Sequence, residues 1–239
     1  CIPTTSGTGS EVTSVAVIKS QTAGRKAYIV DHFIVPNTAI LDPRMTMSLP
    51  KGLTATTAMD AMTHAMEALT SIMGNAICEG HALQAIRLIS ENLPKAIANG
   101  KDEQARLNLQ MAATSAGWAF NIAQVGLAHS MAHTLGMIAN VPHGAACGLV
   151  LPAVMRFNVD HATDKLALAA QALGVNTAGM SKKDAALAAA DAVEKLMKSV
   201  GHPMRLRDVG VTEEILGLAA FHAIADTATL FNARPVADP

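Results

Sequence analysis

The residues able to do chemistry fall in two short stretches. In the first, Met59-Asp-Ala-Met-Thr-His-Ala-Met-Glu67, Asp60 and His64 stand four positions apart. Side chains at i and i+4 share one helix face, one turn apart, so both can reach a single ion. Glu67, three positions on, shares that face. Read alone, the pair fits a solvent-facing Asp60 and a satisfied core histidine better, because polar i,i+4 pairs are common on helices. The surroundings argue otherwise. Met59, Ala61, Met62, Ala65 and Met66 are apolar, and a carboxylate buried among them needs a partner, of which a metal is one.

The second stretch is Gly126-Leu-Ala-His-Ser-Met-Ala-His133, followed by Pro142-His143-Gly144. His129 and His133 are again one turn apart in an apolar segment, and His143 opens the next helix. A zinc protease helix of the H-E-x-x-H type needs Glu after its first histidine, where this chain has Ser130. Taken alone, this segment fits packed core histidines as well as metal ligands. Together, Asp60, His64, His129 and His143 offer one carboxylate and three imidazoles without a thiolate. Such a set suits Fe²⁺, Zn²⁺ or Co²⁺ and leaves room for a substrate oxygen, which is the composition of a catalytic site. His32, His81, His161, His202 and His222 stand apart and read as surface or packing residues.

A third feature is the small-residue loop Pro3-Thr-Thr-Ser-Gly-Thr-Gly-Ser-Glu11. Its glycines let the backbone approach a ligand, and its hydroxyls and N–H groups can hold phosphate or amide groups. It is not a dinucleotide fingerprint, since Val12 stands where the third glycine belongs. By itself the loop reads better as an ordinary Gly-rich turn.

These residues need elements to hold them. β-branched runs predict short strands over 12–18, 27–30 and 38–41. From Pro50 the period is helical, with helices expected over 53–73, 78–92, 102–121, 127–138, 145–158, 163–173, 182–200 and 213–230. Gly74-Asn75 reads as a C-terminal stop, and Ser181 and Thr212 as N-caps. The break near Pro50 separates a β-containing piece, residues 1–48, from an all-helical domain, residues 49–239.

Composition bounds the partners. The 239 residues are 50% apolar and carry a formal charge of -1, so neither nucleic acid nor an anionic membrane surface is expected. No apolar run reaches the roughly 18 residues of a membrane span. Cys1, Cys78 and Cys147 form no CxxC pair and read as reduced thiols of a cytoplasmic protein. A start at Cys1 rather than Met gives the chain the look of part of a longer polypeptide.

Four segments then converge: IPTTSGTGSEVT, AILDPRMTMSLP, TAMDAMTHAMEA and GLAHSMAHTLGMIANVPHGAACGLVLP. In order and spacing they resemble the iron-containing (group III) alcohol dehydrogenases, and the likeness runs from the first residue almost to the last. The resemblance implies an α/β protein overall. A short β-containing remnant of a nucleotide-binding domain would precede an all-α metal-binding catalytic domain. It implies Asp60, His64, His129 and His143 as metal ligands, for Fe²⁺ or Zn²⁺, and His133 beside the substrate and nicotinamide. Thr4, Thr5 and Thr8, with Lys26 and Met45, would contact NAD(P), and Phe120 would line the substrate pocket. The implied activity is hydride transfer between an alcohol and an aldehyde or ketone, in a homo-oligomer. The alternatives are a three-ligand zinc enzyme of the same fold, of the glycerol dehydrogenase or dehydroquinate synthase type, and a non-catalytic metal-binding module. Two departures stand out: the glycine-serine phosphate loop and ribose-contacting acid are not in this chain, and Ala233 interrupts the family's Asn-Pro-Arg segment.

Overall fold

A computed structural model describes residues 1–20 and 25–236, without the side chains of 19, 20 and 25–28. The chain is mostly helical. An antiparallel hairpin, β1 (Val15–Ser20) and β2 (Arg25–Val30), pairs Val15 with Val30 and Ala16 with Ile29. The segment 38–41 forms no strand. Its backbone there bonds to the N-terminal segment, with the Ile40 N–H donating to the Cys1 carbonyl.

Helix α1 (Lys51–Thr70) is the centre of the fold, packed against α2 (Ala76–Ala98), α3 (Glu103–Ala123) and α5 (His143–Ala172). It is apolar nearly all round, as a helix buried on every side must be. Ala55, Ala58, Ala61, Ala65 and Ala68 let neighbours close in, while Met59, Met62 and Met66 fill the irregular gaps. The helix ends at Thr70, not Met73, because Ser71 turns extended. Asn75 is no stop signal: it caps the start of α2, accepting from the N–H groups of Ile77 and Cys78. Helix α2 continues through Pro94, past its expected end at Asn92. Leu93 and Ala96 are buried there, so core packing outweighs the hydrogen bond the proline removes.

Helix α4 (Leu127–Ile138) lies as expected. The two helices expected over 145–158 and 163–173 form α5, which breaks between them where Ala162 leaves helical geometry. Helix α6 (Lys182–Ser199) packs along α5, and the Ser181 side chain caps it by accepting from the Asp184 N–H. Helix α7 (Glu213–Ile224) is shorter than expected. Thr212 makes no side-chain cap there. After it, Asp226 caps a separate 3₁₀ turn, Thr227–Phe231, by accepting from the Ala228 N–H. Among the described residues no helix is long and apolar enough to cross a membrane.

Candidate metal centre

Three helices bring the chemistry together. Helix α1 supplies Asp60 and His64, α4 supplies His129 and His133, and the first residue of α5 is His143. The α5 N-terminus can approach α1 because residue 144 is glycine, as a Cβ there would run into the Thr56 carbonyl.

Asp60 Oδ1 sits among three imidazoles. His143 Nε2 lies 3.5 Å from it, His129 Nε2 3.7 Å and His64 Nε2 4.0 Å. Asp60 is 3% exposed and His129 2%, yet Asp60 Oδ1 and His129 Nε2 have no hydrogen-bond partner. Two inward-facing polar atoms left unpaired in a protein interior are costly, and a cation between them removes that cost. The donor set suits a divalent ion such as Fe²⁺ or Zn²⁺. The iron expected from the sequence therefore fits the residues present.

Charge follows geometry. Burial opposes ionisation of Asp60, but His64, His129 and His143 around it outweigh that and hold its carboxyl well below the usual range. Burial drives His64 down to about 4 against the pull of Asp60, so its ring is neutral at pH 7, the form that ligates metals. His64 is also clamped between flat groups, stacked on Phe120 at 4.2 Å and on His129 at 4.4 Å.

Behind the imidazoles stands Glu67. Its Oε2 lies 2.6 Å from His129 Nδ1, and its Oε1 accepts the Ala128 N–H. Burial opposes its ionisation, but His129 and the N–H groups of Gly126 and Ala128 keep its pKa lowered. The i+3 spacing from His64 put Glu67 on this face in the sequence, though its partner was not readable there. Two further neighbours were missed. Cys147 lies with its Sγ 3.6 Å from His143 Nε2, and its position one turn after His143 was the available signal. Burial pushes its thiol up to about 12. Asp226 accepts from His133 Nδ1 at 3.0 Å, a pairing across 93 residues that no local pattern announces.

The centre forms the floor of a cleft of about 770 Å³. Thr8, Ser10 and Thr13 line it on one side, His133 and Asp226 on another, with Phe120 above His64. Thr4 and Thr5 do not line it, nor does Met45, which is exposed in the turn Pro43–Met45. The side chain of Lys26 lies outside the described residues. Near the C-terminus, Asn232 is buried and exchanges side-chain hydrogen bonds with Asn158, so the Asn-Ala-Arg segment is anchored to α5.

Comparison with known proteins agrees with this picture. Residues 54–238 match the model of the Fe-containing alcohol dehydrogenase family, C-terminal, and residues 1–43 that of iron-containing alcohol dehydrogenase. Over 233 residues the chain is 40% identical to the NAD-dependent methanol dehydrogenase of Bacillus methanolicus, covering 98% of this chain and 61% of that one. It is 41% identical to the 1,3-propanediol dehydrogenase of Citrobacter freundii, covering 98% of this chain and 60% of that one. The alcohol dehydrogenase from Oenococcus oeni superposes with a TM-score of 0.96 at 38% identity, covering 99% of this chain and 62% of that one. The chain thus spans about three-fifths of the length of the curated relatives it matches.

Proposed function

The chain belongs to the iron-containing alcohol dehydrogenase family, and from that premise we propose that it is the metal-binding part of an oxidoreductase interconverting an alcohol and an aldehyde or ketone with NAD(P). The observation that carries this reading is the convergence of His64, His129 and His143 on the unpaired Asp60 Oδ1 at the floor of the cleft. These four residues would hold the ion. Residues 1–48 would be the end of a nucleotide-binding domain and residues 49–239 the helical catalytic domain. The name of the Bacillus methanolicus relative supports NAD as the cofactor. Free thiols at Cys1, Cys78 and Cys147 support a reducing, cytoplasmic setting.

When bound, the ion supplies Lewis acidity toward the alcohol or carbonyl oxygen, and the nicotinamide takes up or gives the hydride. The protein does the rest. His133 donates its Nδ1–H to Asp226, which orients the ring, and its imidazole would take the substrate hydroxyl proton. Its ring lies 5.6 Å from that of His143 and nearly parallel to it, so this base stands beside the proposed ligand set without belonging to it. Phe120 walls the cleft above His64 and would keep water from that side of it. Thr8 and Ser10, which line the cleft, would offer hydroxyls to the cofactor, and the family resemblance adds Thr4, Thr5, Lys26 and Met45 as contacts outside the cleft.

The test is metal analysis of the purified protein, then turnover of short primary alcohols and diols with NAD⁺ before and after chelation. Chelator-sensitive, cofactor-coupled oxidation is the expected result. Full metal occupancy without any turnover would favour a non-catalytic metal-binding role.

A further inference from the structure

Cys147 follows His143 by four positions in α5, so the two side chains share one face of that helix. The thiol is fully buried. Buried thiols commonly pack as small apolar groups, but this one faces ligand atoms. One atom each from Asp60, His129, His143 and Cys147 all lie within 4.8 Å of one another. Two of these residues present the unpaired buried atoms Asp60 Oδ1 and His129 Nε2. Donors held at about 2.0–2.3 Å from a tetrahedral ion stand roughly 3.5 Å apart, so the quartet closes on an ion with small side-chain shifts. His64 also approaches Asp60, at 4.0 Å. Five donors therefore compete for four positions.

Resting on the reading of this cluster as a divalent-metal site, we propose that Cys147 is a further ligand there, recruited by thiophilic ions such as Zn²⁺ and Co²⁺. Sulfur donors favour such ions, whereas carboxylate and imidazole serve Fe²⁺ without it. Coordination exchanges the S–H proton, released to solvent, for the metal–sulfur bond. The same pocket thus offers a nitrogen-oxygen set through His64 and a sulfur-containing set through Cys147, and the ion selects between them.

The test is Co²⁺ titration of the metal-free chain, followed by absorption, in wild type and Cys147→Ser. A tetrahedral Co²⁺ site shows visible d–d bands, and a thiolate donor adds a near-ultraviolet charge-transfer band. Both are expected in wild type. Cys147→Ser should keep the d–d bands, lose the charge-transfer band and bind Zn²⁺ about tenfold more weakly in competition titrations. Should Cys147→Ser fail to fold by circular dichroism, the charge-transfer band of a Cys1→Ser, Cys78→Ala background carries the same test, because Cys147 is then the sole thiol. A wild-type protein with d–d bands alone, or a charge-transfer band surviving Cys147→Ser, overturns the role of Cys147 and leaves the metal site standing. Absence of all Co²⁺ bands removes the metal-site reading itself.

Discussion

Glu67 and His129 form a carboxylate–imidazole pair in which Glu67 Oε2 lies 2.6 Å from His129 Nδ1, while the opposite ring nitrogen faces Asp60 Oδ1 at 3.7 Å. The bond fixes the tautomer: with the proton on Nδ1, the Nε2 lone pair points at the proposed ion. Because Glu67 Oε1 also accepts the Ala128 N–H, both oxygens are committed and the ring cannot swing. Glu67→Gln places an amide N–H₂ against one of two donors. Metal affinity should fall about 10- to 100-fold, the usual cost of losing such an orienting partner. Competition titration against a chromogenic chelator measures it, and an unchanged affinity would remove Glu67 from this role.

His133 and Asp226 make a second pair, with a different consequence. His133→Ala should retain bound metal yet lose about 10²- to 10⁴-fold in turnover at neutral pH, the range typical of a missing general base. Loss of the metal instead would make His133 a ligand. Asp226 adds a stability signature. Burial opposes its ionisation, but the bonds from His133 and the Ala228 N–H hold its pKa below the usual value. A carboxyl lowered on folding stabilises the fold above its unfolded pKa, about 3.9, and that contribution fades as pH falls through the folded value. Asp226→Asn should therefore lower Tm at pH 7, with the gap to wild type shrinking below roughly pH 4. A gap that widens in acid would contradict this sign.

Local patterns announced what local chemistry controls. The i,i+4 spacing of Asp60 and His64, and the three histidines of the second stretch, placed the centre on helices α1, α4 and α5 before any contact was visible. What escaped the sequence depends on tertiary packing. Pro94 ends a helix by local rules, but buried Leu93 and Ala96 carry α2 past it. Asn75 follows a helix like a stop and serves as a cap to the next. Asp226 lies in a run that reads as continuous helix, and only its distant partner His133 and its cap on the Ala228 N–H explain the break there. The segment 38–41 has strand-like residues but no strand beside it among the described residues. Residue type set the donor inventory, and chain-distant neighbours set which donors meet.

Two glycines should respond in opposite directions. A Cβ on Gly144 would collide with the Thr56 carbonyl on α1, a backbone atom that cannot step aside. Gly144→Ala should destabilise by about 1–3 kcal/mol, typical of overpacking, and loosen the hold on His143. Gly52, in the first turn of α1, is exposed with open space around it. Gly52→Ala should be neutral or stabilising by up to about 1 kcal/mol, since alanine loses less backbone entropy in a helix. Denaturant melts of both variants check the contrast, and a similar loss in each would mean that the α1–α5 approach is not the constraint.

Asp60 ties stability to metal. In the metal-free chain its carboxylate is buried, with the Nε2 atoms of His143, His129 and His64 at 3.5, 3.7 and 4.0 Å from Oδ1. The imidazoles around it hold its carboxyl well below the usual range, so Asp60→Asn should lower the stability of the metal-free fold at neutral pH. Adding Zn²⁺ should widen that gap. Wild type should gain about 2.7 kcal/mol at a free concentration a hundredfold above Kd, because the ion binds only the folded state. Asp60→Asn, with a neutral amide in place of the anion that three imidazoles face, should gain little. A chelator should return wild type to its metal-free Tm and leave the variant unmoved. Equal Zn²⁺-dependent shifts in both proteins would show that the ion binds elsewhere and that Asp60 is not its anchor.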